Sequence, residues 1–219
     1  MAQPTINVSQ FLPLVQPYAP QASYPAMMQA LREACVEFCE KTRCWRHMVR
    51  INISRQDQPT VAPGYAAIHE FELVTFDGDE ELIPIEYADV DLAEFAESGV
   101  PRYITQTGPN RISILPFSDG VLDISMFLKP MNGTLYEMST ENVPENVYDT
   151  VPEFLLTLHA EVIAHGALSR LLMIPGQPFT DARAAAHYKQ EFDRRTERSF
   201  NHNVRGQHRA RPRTRASWF

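Results

Sequence analysis

The chain has 219 residues, 44% of them hydrophobic and 21% charged, which is enough for one large domain or two small ones around a real core. No apolar run reaches the roughly 18–20 residues of a bilayer span, and the first twenty residues lack the basic and apolar regions of a signal peptide, so a membrane or signal-directed class is set aside. Three clustered cysteines, Cys35, Cys39 and Cys44, argue against a disulfide framework and for a reducing compartment. The formal charge is −7, and 17 of the 20 basic side chains are arginine, the residue suited to bidentate and interfacial contacts.

Residues 1–22 are rich in Pro and Gln and read as an extended, poorly packed N-terminal segment. Ser23 is a candidate N-cap, with Pro25 in the first turn behind it. Met27, Met28, Leu31, Ala34, Cys35 and Phe38 then recur at helical spacing, predicting an amphipathic helix to about Thr42. After Trp45 the period changes. VRINIS and YAAIHEFELV predict strands, and FDGDEEL an acidic turn centred on Gly78. Residues 88–98 read as a short helix ended by Gly99 and Pro101. RYITQTG, RISILPF and VLDISMFLKP, separated by GPN and SDG, predict a β-meander or a small sandwich. The stretch MNGTLYEMSTENVPENV is polar and irregular.

Helical period returns over residues 151–176, which are apolar nearly all round, as in a central buried helix. A last helix is expected from a Thr180 cap to about Asn201. From Val204 onward the composition is that of an arm. It holds Arg205, Arg209, Arg211, Arg213 and Arg215, contains no Asp or Glu, and ends in Trp218 and Phe219. Its five positive charges leave −12 on residues 1–204.

The fold class read from this order is α+β: a body of three helices, a β-rich module inserted between the first and second of them, and an extended C-terminal arm. The expected units are residues 1–22, a helical body from 23–45 and 150–203, the inserted module 46–149, and the basic arm 204–219.

No pattern supports an enzyme. There is no nucleophile elbow, no catalytic cysteine signature and no phosphate-binding glycine loop. In HAEVIAH, His159 and His165 are six apart and sit on different helix faces, unlike two zinc ligands four apart; Glu161 and His165 do share a face, as a polar pair. Cys35, Cys39, Cys44 and His47 lack zinc-site spacing, and the first two lie on the apolar stripe with Leu31 and Phe38, which assigns them to the core. The acidic stretches 77–81 and 89–97 do not form a calcium loop. No metal and no cofactor is expected.

The arm has two readings. Arginines neutralise nucleic-acid phosphates whatever the sequence. Alternatively the arm folds onto a partner protein, with Trp218 and Phe219 as anchors and the arginines as a charge-paired rim. The aromatic end favours docking.

ALREACVEFCEKTRCWR resembles the first helix of tailed-phage head–tail adaptor (connector) proteins. VPEFLLTLHAEVIAHGALSRLLMIPGQPFTDARAAAHYKQEFDRR resembles their second and third helices, including the short PGQPF link. The resemblance covers roughly residues 23–200. It implies a structural virion protein that assembles in the host cytoplasm. Its partners would be copies of itself in a ring, commonly of twelve; the portal protein above; tail, stopper or nozzle proteins below; and packaged DNA passing through the channel without sequence-specific binding. It also implies that the arm docks on the portal through the five arginines, Trp218 and Phe219. The rival readings are a tail-completion or terminator protein, and a cytoplasmic nucleic-acid-binding protein that uses the arm.

Overall fold

The structure is a computed structural model, and it describes residues 4–58, 61–78, 80–89, 99–108, 110–131 and 149–204. The fold is α+β. In chain order the elements are β1 (Thr5–Asn7), a 3-10 turn (Val8–Phe11), α1 (Leu12–Val15), α2 (Tyr24–Thr42), β2 (Arg46–Ile53), β3 (Ala66–Phe76), β4 (Glu80–Glu81), β5 (Ile83–Pro84), a 3-10 turn (Tyr87–Asp89), β6 (Tyr103–Gly108), β7 (Arg111–Leu115), β8 (Gly120–Pro130), β9 (Thr150–Pro152), α3 (Glu153–Leu171) and α4 (Ala182–Val204).

The N-terminal segment departs from the extended, loosely packed expectation. Asn7 caps the first turn by accepting the Ser9 N–H at 2.8 Å. Val8, Phe11, Val15 and Ala19 are fully buried among the helices. Their 3-4-4 spacing is a helical stripe, which the surrounding Pro and Gln residues hide. β1 pairs antiparallel with β9, Ile6 opposite Val151, and the Glu153 N–H donates to the Pro4 carbonyl at 2.9 Å. The start of the chain therefore holds the start of α3.

α2, α3 and α4 pack on one another around one apolar cluster. Leu31, Ala34, Cys35, Phe38 and Cys39 line it from α2, Leu155, Ile163, Ala167 and Leu171 from α3, and Ala185 and Phe192 from α4. The two cysteines are wholly buried there. The tightest approach is at Gly166. A Cβ there would lie 2.8 Å from the Phe192 ring and 3.1 Å from the Ala34 Cβ, so the glycine is what lets three helices meet at one level. α3 is central as expected but not buried all round, since Leu158 is 72% exposed. The cap of α4 is Asp181 and not Thr180: Asp181 Oδ1 accepts the N–H groups of Arg183 and Ala184 at 3.0 and 2.9 Å. Thr180 instead closes the preceding link, donating to the Ile174 carbonyl and accepting from Gln177 N–H.

A second apolar cluster begins at Trp45, which stacks on Tyr65 with ring centres 5.8 Å apart. It is built on a four-stranded antiparallel sheet in the order β2-β8-β3-β4. A separate sheet has the order β5-β6-β7, with β5 and β6 parallel. Of the two arrangements expected for the last three strands, a meander or a small sandwich, the meander is not formed. β8 leaves β7 and runs between β2 and β3, because its apolar face, Leu122, Ile124, Met126 and Leu128, belongs to the larger core. The Asn110 side chain ties the two sheets together. It sits at φ +59 in the β6–β7 turn, accepts the Ile68 N–H at 3.0 Å and donates to the Ala66 carbonyl at 2.6 Å. Phe154 packs against both apolar clusters. The helix expected at 88–98 and the irregular stretch after Met131 lie outside the described residues, apart from the turn at Tyr87–Asp89.

Gly166→Ala tests the helix junction. Alanine is the better helix former by about 1 kcal/mol, but overpacking against Phe192 costs about 1–3 kcal/mol. The expected outcome is net destabilisation in urea unfolding. An unchanged or raised midpoint would show that the junction has slack.

Candidate functional site

The residues singled out for docking, Arg205, Arg209, Arg211, Arg213, Arg215, Trp218 and Phe219, lie outside the described residues. What the structure does describe is the root from which they leave. α4 is amphipathic and continues to Val204. Near its end Phe200 lies under the Arg43 guanidinium, 5.5 Å from ring centre to cation. Arg43 also pairs with Glu70 of β3 at 2.7 Å. The end of α4, the end of α2 and the large sheet thus meet at one place.

A charged lattice fixes the direction of α4. Glu37 of α2 is its centre, accepting from Lys41 at 2.6 Å, from Lys189 of α4 at 2.9 Å and from Arg170 of α3. Asp193 closes the ring by accepting from Lys189 at 2.9 Å and Lys41 at 3.1 Å. Both lysines also face the Phe192 ring, at 5.2 and 5.8 Å. Burial disfavours the Glu37 charge, but the three cationic donors outweigh it and bring its pKa down to about 2. On the other side of α4, Arg195 holds Glu161 of α3 through two bonds of 2.6 and 3.0 Å.

α2 is tied outward as well. Lys129 of β8 reaches Glu40 at 2.7 Å, and Arg32 pairs with Asp149 just before β9. Beside these ties lie exposed apolar side chains. Met173 is 59% exposed at the end of α3, next to a groove of about 510 Å³ that also involves Arg170, Ala182, Ala186 and Lys189. On the outer face of the large sheet Met48 and Leu73 are exposed between the pairs Arg46–Glu72 and Arg50–Asp123.

His159 and His165 fall into packing positions. His159 lies against Phe38, ring centres 4.7 Å apart, and burial lowers its pKa. His165 faces Tyr188 at 5.3 Å and Glu161 at 4.0 Å; burial first, then Arg195, lowers its pKa. Among the described residues no group of three or more His, Cys, Asp or Glu side chains is placed to hold a metal ion. No helix among them is long and apolar enough to cross a membrane.

These are features of a protein that holds surfaces in fixed relation: helices locked by charge, polar ties to strands, and exposed apolar side chains. The SU10 adaptor protein family matches residues 6–216, so the chain belongs to that family. It is a bacteriophage adaptor, a structural protein of the virion whose family is not known for enzymatic activity and whose role implies contact with other virion components. No curated protein matches the chain.

Glu37→Gln is expected to destabilise the protein by about 1–2 kcal/mol at neutral pH, a modest figure because the lattice is partly exposed. In the wild type the folded carboxyl ionises at about 2 and the unfolded one at about 4.5, so its contribution is complete above pH 4.5 and is lost as pH falls towards 2. Denaturation followed across that window should show a shallower pH dependence in the variant. Equal slopes would mean that Glu37 carries no net pairing energy.

Proposed function

We propose that the chain is the head–tail adaptor of a tailed phage. Copies form a ring under the portal, twelve by likeness to such adaptors, extend the DNA channel and present a platform for tail, stopper or nozzle proteins. In this reading residues 23–45 and 150–203 are the body, residues 46–149 a β-rich module, and residues 204–219 the arm that docks on the portal. DNA passes through the ring without sequence-specific contact.

The observation that carries the reading is the family match, which runs through the helices and on to residue 216. The charge split supports it: five positive charges on the arm against −12 on residues 1–204. A body of net negative charge with an aromatic-tipped basic arm fits a partner offering acidic and apolar grooves. The lattice around Glu37 and the Arg43–Phe200 contact give that arm a fixed point of departure. Ring closure would follow from head-to-tail contacts between bodies with a fixed rotation per copy.

Deleting residues 204–219 is expected to leave the melting temperature nearly unchanged and to abolish binding to portal-containing heads in a pull-down. Trp218→Ala with Phe219→Ala should cost about 2 kcal/mol or more, whereas one exposed arginine should cost about 1 kcal/mol or less. Replacing several arginines should weaken binding most at low ionic strength. A truncated chain that binds heads as well as the full chain would remove the arm from docking. Salt-dependent DNA binding lost with the arm would then support the nucleic-acid reading.

A further inference from the structure

α2 ends in a way that brings two thiols together. Arg43 adopts the left-handed conformation, φ +52, and its N–H donates to the Cys39 carbonyl at 2.9 Å. In this helix-ending turn the residue after the left-handed position folds back onto the last turn, against the residue whose carbonyl was capped. Here those residues are Cys44 and Cys39, and their side chains are hydrogen-bonded to each other. Cys39 is wholly buried, while Cys44 is partly exposed.

We propose that Cys39 and Cys44 are an oxidation site, converted by a two-electron oxidant of the hydrogen peroxide class into an intramolecular disulfide across the end of α2. Cys44 reacts first because solvent reaches it. The Cys39 thiol donates to its sulfur, which lowers the Cys44 pKa against the opposing effect of burial. The Cys44 thiolate attacks one peroxide oxygen; an S–O bond forms, the O–O bond breaks, and the leaving hydroxide takes a proton to become water. The Cys39 sulfur then attacks the Cys44 sulfenic sulfur. The S–S bond forms, the S–O bond breaks, and the departing hydroxide takes the Cys39 proton as a second water. Two thiols are oxidised and one peroxide is reduced to two waters.

Cys35 is left out for a geometric reason. It sits one helical turn before Cys39, where Cβ atoms are about 5–6 Å apart, beyond the roughly 3.5–4.5 Å of a disulfide. The cross-link would span the chain's passage from α2 to β2, beside Trp45, whose carbonyl accepts the Leu128 N–H at 2.8 Å. Oxidation would therefore close the end of α2 at the point where α4 also arrives. The proposal stands on this local geometry and does not depend on the portal-docking reading.

The test uses the reduced full chain, treated with hydrogen peroxide while folded, then denatured for thiol counting and tryptic mapping. Titratable thiols should fall from three to one. Trypsin cuts after Lys41 and Arg43, so peptides 33–41 and 44–46 should appear joined, lighter than their sum by two hydrogens, and separate on reduction. Cys44→Ser should lose the joined peptide. Cys35→Ala should keep it and fall from two thiols to none. Three thiols surviving oxidation, a joined peptide that persists in Cys39→Ala, or thiols consumed by dimers between chains would each overturn the proposal.

Discussion

The close approach of α2, α3 and α4 at Gly166 is the constraint on which the rest of the helical arrangement depends. Phe192 occupies the space a side chain would need, and Ala34 closes the third side. Phe192 is fully buried, so it sets both the depth and the rotation of α4. With the rotation set, Lys189 and Asp193 face Glu37 and Lys41, while Arg195 faces Glu161. The apolar contact and the charged lattice are two consequences of one placement, and the lattice adds directional restraint more than raw stability.

The same placement carries α4 to the junction where Arg43 meets Phe200 and Glu70. That junction is crowded. The left-handed turn at Arg43, the Cys39–Cys44 contact and the buried Trp45 all lie within a few residues, and Lys129 reaches across to Glu40 from β8. Its order comes from a helix, a charge-locked face and a tightly turned corner.

The helices were legible in the sequence because their apolar period is local and strong; Tyr24–Thr42 falls where Met27 to Phe38 predict it. The N-terminal packing was masked by composition, although Val8, Phe11, Val15 and Ala19 carried the signal. The Asp181 cap is hidden in the sequence because the neighbouring Thr180 offers the same chemistry. The course of β8 between β2 and β3 could not be read, since pairing Ile124 with both Val49 and Val74 is a non-local choice decided by the whole core. The same holds for Glu37 and Lys189, partners far apart in sequence. The arm announced itself by charge alone, and its root did not: nothing in the residues around Phe200 names Arg43 as their neighbour.

In the proposed function a helical scaffold sits between two assemblies, with the arm as its upper attachment. The measurement that tests this most directly is electron cryo-microscopy of the purified chain mixed with purified portal. The account predicts a closed ring of the chain on the portal, with continuous density from the end of α4 at Val204 running along the portal surface and ending in a pocket filled by Trp218 and Phe219. A portal that stays bare, or a ring whose C-terminal density turns into the DNA channel and away from the portal, would contradict it.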